Sequence, residues 1–187
     1  MSQVIFTPSQ AEGPYYPVGK PDDRDNNLVQ VAGAARQAQG ETLLLAGKLY
    51  DAAGAPVAGA VIEIWQTDAA GIYLHPNDPG LANRDPNFQG YGEAVTAADG
   101  SYWFLTLLPG TYESRPRHIH VKVKINGQEL LTTQFYFAED VLTSGDALAR
   151  GAGDALAALL VEVTAGTDDA GNPLLLGQRD VILSSYR

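Results

Sequence analysis

The sequence predicts a mainly β chain: a β-sandwich of mostly antiparallel strands, with an irregular N-terminal arm and one short helix near the C-terminus. Three observations carry this reading. From Glu41 onward, short apolar runs alternate with Gly- and Pro-rich links. Asp99–Gly100 and Asn126–Gly127 are two-residue loops of the kind that close hairpins, because these residues tolerate positive φ. Only one segment, GDALAALLV, spaces its leucines as a helix does.

The elements follow in order. Residues 1–40 are an arm broken by Pro8, Gly13, Pro14, Pro17 and Pro21 and then by the polar run 22–27. Its Tyr15–Tyr16 pair is poorly suited to a free tail, so the arm is expected to lie on the body or on a neighbouring subunit. Residues 41–187 are expected to form the sandwich, the whole chain being one domain. Residues 43–50 make an apolar strand, and DAAGAPVAG links it to VIEIWQ. There Val61, Glu63 and Trp65 face one way and Ile62, Ile64 and Gln66 the other. Residues 67–92 form a long polar loop, a length that is uncommon unless the loop carries function. Residues 93–96 and 101–106 flank AADG, and HIHVKVKI and ELLTTQFYF flank Asn126–Gly127. In GDALAALLV, Leu156, Leu159 and Leu160 share a helical face with Asp154 as cap, while Gly151 and Gly153 argue against upstream extension. DVILSSY reads as a closing strand.

Composition narrows the chemistry. The 187 residues hold 12 Lys+Arg against 22 Asp+Glu, a net charge of −10, with no Cys, three His and nine Tyr. Disulfides, thiolate zinc sites, iron–sulfur clusters and a cysteine nucleophile are excluded. The acidic balance disfavours nucleic acid and anionic membranes as partners. The N-terminus has neither the basic start nor the apolar core of a signal peptide, and the longest apolar stretch, 155–161, is too short to span a bilayer. A cytoplasmic globular protein is therefore expected. Any metal must be held by N and O atoms.

The strongest local signal is Arg115-Pro116-Arg117-His118-Ile119-His120. If Ile119, Val121, Val123 and Ile125 face the core, then His118, His120, Lys122 and Lys124 share the other face. Two His at i and i+2 of a strand stand roughly 7 Å apart at Cα, which lets both imidazoles reach one ion. The same spacing also suits two half-exposed histidines on a polar face. Tyr112 precedes His118 across LPGTYESRP, and Tyr73 opens the long loop. Tyrosine is ordinarily a packing residue, yet tyrosinate is a hard oxygen donor whose pKa a bound cation depresses. Two imidazoles with two phenolates would favour Fe(III) over Fe(II) or Zn(II).

The chain resembles the intradiol ring-cleavage dioxygenases, the non-haem Fe(III) enzymes that include catechol, hydroxyquinol and protocatechuate 3,4-dioxygenases. The likeness runs from Thr7 to the C-terminus through TPSQAEGPYYP, PVAGAVIEIWQTDAAGIYLHPND, DPNFQGYGEAVTAADGSYWFLTLLPGTY, RPRHIHVKV and TTQFYF, in the family's order. It implies Tyr73, Tyr112, His118 and His120 as iron ligands, with no organic cofactor. It implies Arg115 beside the substrate, where negative charge develops, and Gln134 close to metal and substrate. It places Gly13, Pro14 and Tyr15 along the pocket and Trp65 near the iron-binding Tyr. It implies a catecholic small molecule and O2 as reactants, a muconate-type diacid as product in aromatic compound catabolism, Tyr112 as the ligand that leaves to take a substrate proton, and an oligomer, with a homo-oligomer favoured. The link from Tyr112 to His118 is shorter than in the best-known relatives, and the family's helical N-terminal dimerisation segment has no counterpart.

Other readings stand beside this one. Similar turn patterns occur in transthyretin-like sandwich modules that only bind, and a His-ligated Zn or Fe(II) enzyme would do without tyrosinate. His75 reads as a locally bonded loop residue, and Asp68, Asp78 and Asp85 as turn formers. Arg115 outside the family match is a solvated loop guanidinium, Gln134 a polar strand residue, and Tyr15 and Tyr16 anchors of the arm.

Overall fold

The computed structural model describes residues 4–186, with backbone alone at 142–144. Among these, nine strands form one hydrogen-bonded path: β1 (Thr42–Tyr50), β2 (Val61–Trp65), β3 (Tyr91–Val95), β4 (Ser101–Leu107), β5 (His118–Ile125), β6 (Gln128–Phe137), β7 (Leu160–Thr167), β8 (Pro173–Gln178) and β9 (Val181–Ile182). The order is β3-β2-β5-β6-β7-β8-β1-β4, with β9 on β1. The first four strands of that order and the last four make two groups, whose strands pair with each other, among the described residues, only where Tyr136–Phe137 run parallel to Leu160–Val161. The mainly β expectation holds, and the path is nearly closed and barrel-like. No helix among the described residues is long and apolar enough to cross a membrane.

Strand chemistry explains the layering. In β1 alternate residues are buried, Leu43, Leu45 and Leu49 pointing into one core with Ile62, Ile64, Phe104, Ile119 and Phe135. Each such side chain contributes about 1.5–3 kcal/mol on burial. The turn at Asn126–Gly127 closes the β5–β6 hairpin as predicted, with both residues at positive φ. The Asp99–Gly100 turn also forms, Asp99 accepting from the Ser101 amide. Its flanking strands do not pair with each other, however: β3 pairs with β2 and β4 with β1. Turn chemistry fixes a reversal, and the apolar faces then send the two strands to different groups.

The helical expectation needs correction. Two short α-helices, α1 (Ala138–Ser144) and α2 (Ala147–Gly151), lie upstream of the predicted segment, which itself is a 3-10 turn over Gly153–Leu159 that runs into β7. The cap is Asp146, whose carboxylate accepts from the Ala149 amide; Asp154 only sits in the first turn of the 3-10 segment. The leucine spacing is satisfied by packing Leu159 under Tyr136 and Val141, which needs no full α-turn.

Residues 4–41 hold no regular helix or strand and lie along the chain's own sheet. Leu28 and Val29 enter the core. The Gln10 amide bonds the Thr132 carbonyl and the Leu28 amide that of Leu105. This cover changes the character of β2 and β5. Their outer faces, with Glu63, Trp65, His118, His120 and Lys122, are buried too, so the polar face expected on β5 is a second, polar interior.

Candidate metal centre

The centre is built across three neighbouring strands. Strand register places Trp65 of β2, His120 of β5 and Gln134 of β6 in one row, and His118 opposite Tyr136 in the next. All of them project to the outer face because side chains alternate. Tyr73 comes from the long loop, where Asp78 accepts from its amide at 2.8 Å and from the Gly80 amide as well. Asp68 and Asp85 cap neighbouring amides in the same way, as predicted for turn formers. His75 accepts from the Asn77 amide, the local bonding expected of it.

Three donor atoms meet at one point. Tyr73 Oη lies 3.2 Å from His118 Nε2 and 3.1 Å from His120 Nε2, and the two Nε2 atoms are 3.2 Å apart. Atoms that bind one ion at about 2.0–2.1 Å stand roughly 3.0–3.4 Å from each other, so the triangle has the edge length of a coordination shell. His118 Nδ1 is 2.7 Å from the Pro116 carbonyl, an acceptor only, so that nitrogen donates and Nε2 presents its lone pair. One phenol proton cannot serve every contact, and His120 Nδ1 is buried with no partner. A cation would satisfy all three converging atoms. Tyr73 Oη is thus the third converging atom beside the two imidazoles.

Tyr112 stands at the edge of the triangle, half-buried, its ring 5.2 Å from that of Tyr73 and 5.6 Å from that of His118. Burial pushes the His118 imidazole down to about 4 and His120 well below its ordinary value, which keeps both neutral and able to ligate. Burial, then the Tyr112 phenol, push Tyr73 well above its ordinary value. The Arg115 cation acts against that direction, and a cation at the triangle would act against it more strongly.

The other expected residues surround this point. Trp65 stacks on His120 with centroids 4.7 Å apart and planes 10° from parallel. It is buried behind the imidazole and shares a buried cluster with Tyr73 and Tyr91. Tyr15 stacks on Tyr73 at 4.7 Å. Gly13, at φ 75°, lies so close that a methyl group there would meet His120 Cε1 at 3.4 Å. Pro14 between them is exposed. Arg115 is not a solvated guanidinium: Nε donates to Asp146 at 2.6 Å, and Nη2 donates to Gln134 Oε1 at 2.7 Å. Burial works against its charge, and Asp146 with the Tyr136 and Tyr112 phenols outweighs burial, so the cation is held above its ordinary range. Gln134 is fully buried and donates to the Ala11 carbonyl of the arm.

A family model described as Dioxygenase matches residues 11–173. The chain belongs to the intradiol ring-cleavage dioxygenase family. It is 37% identical over 140 residues to a protocatechuate 3,4-dioxygenase beta chain of Burkholderia cepacia, covering 70% of this chain and 59% of the relative. It is 31% identical over 163 residues to catechol 1,2-dioxygenase of Acinetobacter baylyi, covering 75% and 49%. The chain thus spans about half the length of the curated relatives it matches. Among solved structures, the dioxygenase domain of a carbohydrate-binding fusion protein from Streptomyces sp. SirexAA-E superposes with a TM-score of 0.73 at 32% identity, covering 96% of this chain and 98% of that one. 3-Chlorocatechol 1,2-dioxygenase of Rhodococcus opacus 1CP gives 0.74 at 25% identity, covering 96% and 73%.

Sequence reasoning missed two members of the polar network around this point. Tyr136 is fully buried and donates to Gln134 Oε1 at 3.0 Å. Strand alternation from Gln134 would have placed it. Asp146 could have been suspected only as a helix cap, since nothing local ties it to Arg115.

Proposed function

We propose that the chain is a non-haem Fe(III) intradiol dioxygenase. It cleaves the bond between the two hydroxylated carbons of a catechol-type aromatic, of the protocatechuate, catechol or hydroxyquinol class, with O2 to give a muconate-type diacid. The observation that carries this is the triangle of Tyr73 Oη, His118 Nε2 and His120 Nε2 at 3.1–3.2 Å with Tyr112 beside it. Tyr73, Tyr112, His118 and His120 would hold the iron, and no organic cofactor is required. When bound, Fe(III) would supply the Lewis acidity that favours ionisation of the substrate's hydroxyl groups. A module that only binds has no need for three lone-pair atoms converging in a dry interior.

The chain's residues divide the remaining work. Tyr112, at the accessible edge, accepts a proton from a substrate hydroxyl at its Oη, while buried Tyr73 stays in place. Arg115 offers a fixed cation where negative charge develops, its fork aimed by Asp146 and Gln134. His118 is oriented by the Pro116 carbonyl and His120 by the Trp65 stack. Gly13, Pro14 and Tyr15 cover the centre and exclude water. We read the two four-stranded groups as the layers of a β-sandwich, residues 41–187 as the catalytic part, and a homo-oligomer as the assembly, since Val4, Ile5 and Phe6 leave the arm's start apolar and exposed.

The test is O2 uptake by iron-loaded protein with catechol, hydroxyquinol and protocatechuate in turn. Uptake with at least one, giving a diacid that carries both atoms of labelled O2, is expected. Folded, iron-loaded protein inert toward all three overturns the proposal.

A further inference from the structure

We infer that Glu63 is a positioning residue that latches residues 12–20 of the arm across the metal centre. Glu63 lies on the outer face of β2, opposite Lys122 of β5 and Glu93 of β3. Its side chain is 1% exposed, a costly place for a carboxylate unless it is fully paired. The pairing is complete. Oε1 accepts from Lys20 Nζ and from Lys124 Nζ, each at 2.8 Å, and Oε2 accepts from the Tyr16 hydroxyl at 2.7 Å. Burial alone would push this carboxyl up; the bonds from Lys124, Lys20 and Tyr16 outweigh it and keep the group ionised.

Two of those three partners belong to the arm. Upstream, the arm is fastened repeatedly: the Pro8 carbonyl accepts from Thr133, the Ala11 carbonyl from Gln134, and Glu12 pairs with Lys122. Downstream, Tyr16 and Lys20 converge on Glu63, Lys20 also reaching Glu93. Between the two fastenings run Gly13, Pro14 and Tyr15, which meet His120 and Tyr73. A three-residue strap held at both ends has little freedom, so the carboxylate on β2 sets where Tyr15 and Gly13 stand. Tyr16 also packs edge-on against Trp65 at 4.9 Å, and Trp65 stacks on His120, so the same latch bears on the imidazole from behind. The side chain at 63 touches none of the proposed ligands itself and acts through the arm.

Two variants test this. E63Q removes the charge at constant size; Y16F removes one hydroxyl and leaves Lys20 and Lys124 with their anion, so it remains informative if E63Q folds poorly. Chymotrypsin cleavage of the native iron-loaded protein between Tyr15 and residue 16 reads the strap directly. Loss of one charged hydrogen bond predicts roughly tenfold faster cleavage in Y16F, and loss of the charge itself at least as much in E63Q, without a matching fall in the urea unfolding midpoint. On the dioxygenase reading, KM for the best catechol also rises severalfold while kcat and iron content hold. Cleavage at the wild-type rate in both variants, or acceleration only in step with global unfolding, overturns the latch. The KM measurement rests on the proposed activity and the cleavage does not. An inert wild type would therefore sink that activity and leave the latch to the cleavage result.

Discussion

Acidifying the metal-free protein from pH 7 to pH 5 will cost it about 2 kcal/mol through His118 alone. The imidazole has an ordinary value of 6.5, and burial, with the Arg115 cation, pushes it down to about 4 against the Pro116 carbonyl, whose bond acts the other way. The unfolded chain therefore takes up a proton near pH 6.5 that the folded chain refuses until about pH 4. Stability is fully present above 6.5, falls as pH drops through that value, and levels off near 4. At 1.36 kcal/mol per unit, the whole window is worth about 3 kcal/mol, of which about 2 appears by pH 5, before carboxylates titrate. His120 is pushed in the same direction, by burial first, and enlarges the loss. Urea unfolding of metal-free wild type and H118N at pH 7, 6 and 5 measures it. With a slope of about 1–3 kcal/mol/M, the wild-type midpoint should fall by roughly 1 M or more, and H118N should be flatter. A flat wild-type profile, or equal slopes in the two proteins, would refute the claim that these imidazoles are held neutral by burial.

Three further outcomes are expected. D146N and R115Q, combined in a double-mutant cycle by thermal unfolding, should show a coupling of about 1.5–3 kcal/mol, because the ion pair is 2.6 Å long and mostly buried; additivity within about 0.5 kcal/mol contradicts the pairing. G13V should weaken iron binding or raise KM roughly tenfold, since a side chain there needs the positive-φ backbone and crowds His120; unchanged iron titration and kinetics together would remove Gly13 from the site. Y112F should leave the fold intact and lower kcat by roughly 100-fold or more if Tyr112 takes the substrate proton; wild-type kcat contradicts that role.

What was legible in the sequence depended on how local its cause is. The His118/His120 pair follows from strand alternation, and the Asn126–Gly127 hairpin from backbone preference, so both are found where expected. Asp99–Gly100 carries the same local signal, but strand pairing there is decided by which core each apolar face joins. GDALAALLV has helical spacing, yet β7 pairs with β6 from Leu160 onward and stops the turn short. Lys122 and Lys124 read as part of a polar face on β5, because the arm that covers them lies over 100 residues upstream. Asp146 was illegible for the same reason: its partner Arg115 is 31 residues away across β5, β6 and α1. Tyr73 and Tyr112 were found by resemblance; from spacing alone either would pass as packing.

The tyrosinate–histidine iron centre itself is tested most directly by the visible spectrum of the iron-loaded protein. Tyr73 bound to Fe(III) beside His118 and His120 should give a burgundy solution with a broad charge-transfer band. That band should shift on adding catechol and should be greatly diminished in Y73F at the same iron content. Protein that binds iron yet stays colourless, or a band unchanged in Y73F, would contradict the centre.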